Sequence, residues 1–163
     1  MTATVLLTAA GIGALAGLHT ATWGMYKDSI HEGFFWPRYF RSPIVGVVMG
    51  NVAGLIARPT LDTAGSIIGF FGVVYVLERG AVELWKTFLR NEDQSKYFIP
   101  MQFGIMGKPM KDARKRIAIG VIVALACVGV FVAIRALEDR FGASWPRWLM
   151  VVTIGSMFGW ISA

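Results

Sequence analysis

The sequence is poor in charge, carries one cysteine, and lacks the short motifs of the common catalytic sites. Charged residues fill 16% of its 163 positions, against about 25% in an ordinary soluble domain. The deficit lies in long uncharged runs. The hydrophobic fraction is 55% and the mean hydropathy +0.57, the composition of a polytopic membrane protein rather than of a water-soluble globule. Cys127 has no intrachain disulfide partner and excludes a cysteine-based zinc site; in its apolar run it reads as a small buried hydrophobe. No phosphate-cradling glycine loop is present. In HEGFF, Phe35 stands where a zinc metalloprotease needs its second histidine. There is no repeated-aspartate motif to hold magnesium. The motifs of membrane acyltransferases, CDP-alcohol transferases, lipid phosphatases and cytidylyltransferases are absent as well. MTATVLLTAAGIGALAG has no lysine or arginine ahead of its apolar stretch, as a secretory signal requires, so it is expected to remain as a first membrane helix.

What is present is a set of apolar runs. Crossing about 30 Å of hydrocarbon takes roughly 20 residues of helix, and the runs at 4–26, 44–57, 61–77, 117–137 and 148–163 are the expected spans. The fold class follows: an all-α integral membrane protein, one polytopic domain over 1–163, with a bundle of about five transmembrane helices. The run at 44–57 is short and fenced by Pro43 and Arg58-Pro59. Pro37 and Pro43 argue against one continuous helix through the segment before it.

Charge sets the expected orientation. Twelve of the sixteen lysines and arginines fall in loops 27–43 and 78–116, and four (Arg58, Arg135, Arg140, Arg147) on the other side. Positive loops stay inside, so both long loops and the C-terminus are expected to be cytoplasmic and the N-terminus outside, in the inner membrane if the source is prokaryotic. The same bias accounts for the net charge of +6 without a nucleic-acid partner.

Glycines recur at four-residue spacing: Gly13 and Gly17; Gly46, Gly50 and Gly54; Gly65 and Gly69; Gly155 and Gly159. Small residues so spaced let helix backbones approach closely in lipid. They are expected to pack the bundle internally, with a homodimer or larger membrane complex as the other use of the same faces. His19 and Asn51 are the polar groups at hydrocarbon depth. His19 reads as a hydrogen-bonded packing residue, and no metal or cofactor is assigned.

Two loop segments gather chemistry. In YKDSIHEGFFWPRYFRSP, Asp28, His31 and Glu32 fall at i, i+3 and i+4, one face of a helical turn, where they would serve as a general base or as metal ligands. Lys27, Arg38 and Arg41 are suited to phosphate, and Trp36, Tyr39 and Phe40 to the membrane interface. In the second loop, AVELWKTFLR (81–90) puts Val82, Trp85, Phe88 and Leu89 on one face and Glu83, Lys86 and Arg90 on the other, an expected amphipathic interfacial helix. Lys108, Lys111, Arg114, Lys115 and Arg116 then form a basic cluster suited to anionic headgroups. The leading expectation is a non-catalytic membrane subunit or scaffold whose cytoplasmic face binds anionic lipid or a partner protein. The alternatives are an enzyme acting on a phosphorylated lipid, using Asp28, His31 and Glu32, and half of an inverted-repeat transporter, for which an odd number of spans is apt.

Overall fold

The computed structural model describes residues 3–97, 100–141, 148, 152, 155 and 156. Four α-helices occupy most of these positions: α1 (Ala3–Glu32), α2 (Trp36–Ala57), α3 (Ala64–Leu84) and α4 (Ala113–Phe141). A π-helical turn, Trp85–Leu89, continues from α3. A short antiparallel hairpin, β1 (Gly104–Ile105) and β2 (Lys108–Pro109), precedes α4. The expected run at 117–137 lies within α4, and most of 148–163 lies outside the described residues. The chain divides into two compact units, Met1–Val82 and Glu83–Ala163.

In the first unit, α1 and α2 are both long and apolar enough to cross a membrane. At 30 and 22 residues they extend about 45 and about 33 Å at 1.5 Å per residue. The second helix begins eight residues earlier than the run at 44–57; the segment before that run is indeed not one continuous helix, but its break falls at 33–35 and not at Pro37 or Pro43. Pro37 sits in the first turn of α2, where backbone N–H groups have no intrahelical acceptor to lose. Pro43 sits inside the helix. There it removes one hydrogen bond, to the carbonyl four residues back, and helices of this kind tolerate such a loss when neighbours pack closely. Arg58 ends α2 in the left-handed region (φ 45°) and donates its N–H to the Gly54 carbonyl.

The contact between α1 and α2 is made by backbone. A Cβ added to Gly13 would overlap the Gly46 carbonyl, one at Gly17 the Ser42 carbonyl and Pro43 Cα, and one at Gly50 the Ala9 carbonyl. Every four-residue step forward on α1 is a four-residue step back on α2, so the helices run antiparallel with their small-residue rows in register. Around this seam Ala9, Ile12, Ala16 and Ala53 form a core with Phe70 and Val74 of α3, and Leu61, Phe71, Tyr75 and Leu77 pack against it. The Tyr75 ring also meets His19 edge-on at 5.4 Å.

The expected run at 61–77 is shifted toward the C-terminus because Thr63 caps α3. Its hydroxyl accepts from Ser66 N at 3.2 Å, while Ser66 Oγ accepts from Thr63 N at 3.2 Å. This reciprocal pair is a capping box with serine in the acidic residue's place. Thr63→Ala is expected to lower stability by about 1 kcal/mol, read as a shift in the unfolding midpoint of the detergent-solubilised chain. An unchanged midpoint would remove the cap's role.

The second unit is organised by a buried arginine. Arg116, in the first turn of α4, is 1% exposed. Its Nε donates to the Phe88 carbonyl at 2.9 Å, Nη1 to the Met110 carbonyl at 3.0 Å and to Gln102 Oε1 at 3.3 Å, and Nη2 to the Arg90 carbonyl at 3.3 Å. Phe88 stacks on Phe103 at 5.5 Å and fills the space that the bare Cα of Gly120 leaves on α4. Phe103 N donates to the Thr87 carbonyl and accepts at its own carbonyl from Met110 N. The π turn, the hairpin base and the start of α4 are thereby tied together.

Candidate functional site

The sequence-derived candidates divide between the two units. Asp28, His31 and Glu32 lie in the last turns of α1, so their spacing does fall on helix. Their surroundings differ: Asp28 is buried beside Lys27, with Nζ 3.7 Å from its carboxylate, whereas His31 is exposed. Among the described residues no three His, Cys, Asp or Glu side chains gather as a metal-binding group. After Gly33, whose positive φ (68°) ends α1 in the conformation glycine adopts most readily, the chain turns into an aromatic cluster. Phe34 meets Trp36 edge-on at 4.8 Å, Trp36 stacks on Phe40 at 5.7 Å, and Tyr39 packs against all three. Phe34, Phe35, Trp36 and Phe40 are all exposed. The Tyr39 hydroxyl lies 3.0 Å from that of Thr22, which fixes the start of α2 against α1. Arg38 and Arg41 are half-buried in this first turn-and-a-half of α2.

In the second unit Lys108, Lys111, Arg114 and Lys115 are exposed. Arg116, expected to join them, is instead buried with its guanidinium directed at main-chain carbonyls. A buried guanidinium is stable only when its donors are met, and here each of its three nitrogens has an acceptor. Asp112 Oδ1 accepts from Arg114 N and Lys115 N at 3.0 and 3.2 Å. It caps α4 and offsets the unfavourable placement of cations at a helix N-terminus.

Residues 81–89 are helical, the end of α3 followed by the π turn, but their faces differ from the expected ones. A π turn accommodates an extra residue per turn, so the face rotates. Val82 and Phe88 are buried, Leu89 is 53% exposed, and Arg90 is 6% exposed. The Arg90 guanidinium lies over the Trp85 and Tyr97 rings at 6.0 and 5.7 Å. It donates to the Tyr97 hydroxyl and pairs with Glu92 at 3.2 Å. Lys86 pairs with Glu83 at 3.8 Å.

Of the expected packing glycines, Gly46 and Gly50 lie in the α1–α2 seam and Gly54 is buried in α2. A Cβ at Gly65 or Gly69 meets nothing within 4 Å. Glu78, placed in a loop by sequence, is instead fully buried in α3. Its signal was present: Phe70, Val74, Glu78 and Val82 recur every four residues on the buried stripe of that helix. The arrangement thus offers cations and aromatic rings at element ends, and carboxylates held within the packing. Compared with family models, with curated proteins and with solved structures, the chain matches none.

Proposed function

We propose that this chain is a non-catalytic integral-membrane subunit or scaffold. Its bundle of about five spans has the N-terminus outside, and its cytoplasmic basic loops bind anionic lipid headgroups. One observation carries the reading: the α1–α2 pair is small inside and large outside. Its contact is made by glycine and alanine with Ser42 and Pro43, while Leu7, Leu15, Trp23, Ile44, Val48 and Leu55 are between 50% and 74% exposed. In water such a pair would leave its apolar surface uncovered. In lipid the hydrophobic drive between helices vanishes and close backbone approach replaces it. The exposed aromatic cluster at the α1–α2 turn supports the same reading, since such rings favour the headgroup level, and Lys27 beside it supplies an exposed cation.

The test is native mass spectrometry of the chain released gently from its own membrane. Retention of a discrete anionic lipid, lost when Lys108, Lys111, Arg114 and Lys115 are all changed to Gln, is the expected result. A chain that partitions into the aqueous fraction without detergent would overturn the membrane reading. A membrane-bound chain with no anionic-lipid preference would overturn the headgroup part alone.

A further inference from the structure

We infer that the β1–β2 hairpin is a membrane-dipping finger: its apolar tip enters the acyl boundary of an anionic bilayer while the lysines beside it meet the lipid phosphates. This rests on the membrane reading above and deepens it by naming the element that engages lipid. The tip residues are Ile105 and Met106, 60% and 97% exposed. Apolar side chains at a loop tip are expected to fold back when water is the only neighbour. These are held out by the backbone. Met106 and Gly107 both have positive φ, 51° and 75°, the turn class with two left-handed central residues. That class favours asparagine or glycine at its first position. A methionine there is held in a conformation unusual for its side chain, and such positions concentrate where a site requires them.

The base of the finger is fixed. Gly104 pairs with Pro109 and Ile105 with Lys108; a Cβ at Gly104 would come within 2.6 Å of the Lys108 carbonyl, so the close pairing needs glycine. Below it, Arg116 holds the Met110 carbonyl and Phe103 is bonded to Thr87, as described above. A rigid base with an exposed tip presents the tip instead of letting it collapse.

Charge complementarity selects the occupant. Directly paired residues of an antiparallel ladder project from the same face, so Ile105 and Lys108 stand side by side. Lys111, Arg114 and Lys115 follow within the next seven positions and are exposed. Apolar residues flanked by cations match the boundary between acyl chains and anionic headgroups. An acidic protein would answer to the cations alone and leave Ile105 and Met106 in water.

The experiment uses the full chain with Cys127→Ala, so that Met106→Cys carries the sole thiol, labelled with an environment-sensitive NBD fluorophore. The protein is reconstituted in phosphatidylcholine bilayers with or without phosphatidylserine. With phosphatidylserine the emission is expected to shift to the blue and to be quenched more strongly by shallow than by deep doxyl lipid. Lys108→Gln with Lys111→Gln, or high salt, should lose most of that quenching. A label at Ile105→Cys gives the same reading if the Met106 variant folds poorly. Water-like emission in phosphatidylserine bilayers overturns the finger, as it would if the tip served a protein partner. Equal quenching in both lipids, insensitive to the lysines, overturns the role of charge. If the finger fails while the mass-spectrometric lipid adduct persists, the broader headgroup reading stands; if the adduct is also missing, both fall.

Discussion

Gly46→Val is expected to separate α1 from α2 and to destabilise the first unit by about 3 kcal/mol, the upper part of the range for forced overpacking. The neighbour that a new Cβ would overlap is the Gly13 carbonyl, and main chain has no rotamer to change. The helices would have to part by about an ångström to restore ordinary contact. Because the seam is in register at Ala9–Gly50, Gly13–Gly46 and Gly17–Ser42, parting at one station loosens all three. Gly69→Ala supplies a control of opposite sign. Its Cβ meets open space, so the gain in helix propensity, up to about 1 kcal/mol, should appear as greater stability. Both are read as the midpoint of unfolding in mixed detergent micelles. A neutral Gly46→Val would show that the seam is not the source of stability. A destabilising Gly69→Ala would show that α3 meets a further helix or a second copy through that face.

Arg116→Ala is expected to cost about 4 kcal/mol, concentrated in the second unit. The substitution removes donors from the carbonyls of Phe88, Arg90 and Met110 together with Gln102 Oε1, at a place where the arginine itself is 1% exposed. A buried acceptor left without a partner costs about 1–3 kcal/mol. The Arg90 carbonyl keeps another donor, Gln102 Nε2 at 2.6 Å. Arg116→Lys should recover less than half of the loss, because a single ammonium does not span carbonyls that a planar guanidinium reaches from three nitrogens. Amide exchange is the appropriate measurement: protection across residues 101–110 should fall sharply, while that of α1 and α2 is unchanged. Equal loss of protection in both units, or none in either, would count against a local clamp.

The helices were legible in the sequence because long apolar runs and four-residue glycine spacing are strong patterns, and Gly13, Gly17, Gly46 and Gly50 mark the faces that meet. The extent of α2 was not. Proline is read as a breaker on the assumption that its lost hydrogen bond matters, yet Pro37 has none to lose and Pro43 sits in a buried seam where packing outweighs a single bond. The basic cluster was legible as a group and illegible in its parts. KDARKR gives each cation the same local context, and only helical phase separates Arg116 from its neighbours. Gly120, one turn further along α4, was the available hint that this face is packed. The π turn left no signal of its own, and with it the exposed side assigned to Arg90 was lost. Asp28, His31 and Glu32 do fall on helix, as their spacing suggested, but spacing does not report that Asp28 is buried and His31 exposed.

The backbone seam also bears on how the chain is made. Its contacts, at Ala9–Gly50, Gly13–Gly46 and Gly17–Ser42, join two consecutive helices with only the short 33–35 turn between them. Chains fold from the N-terminus as they are synthesised. The α1–α2 pair is therefore able to close as soon as Gly50 has left the ribosome, well before Arg116 exists to assemble the second unit. A nascent chain arrested at that length already carries all three stations of the seam, and lacks only the Ala53, Phe70 and Val74 that complete the core around it.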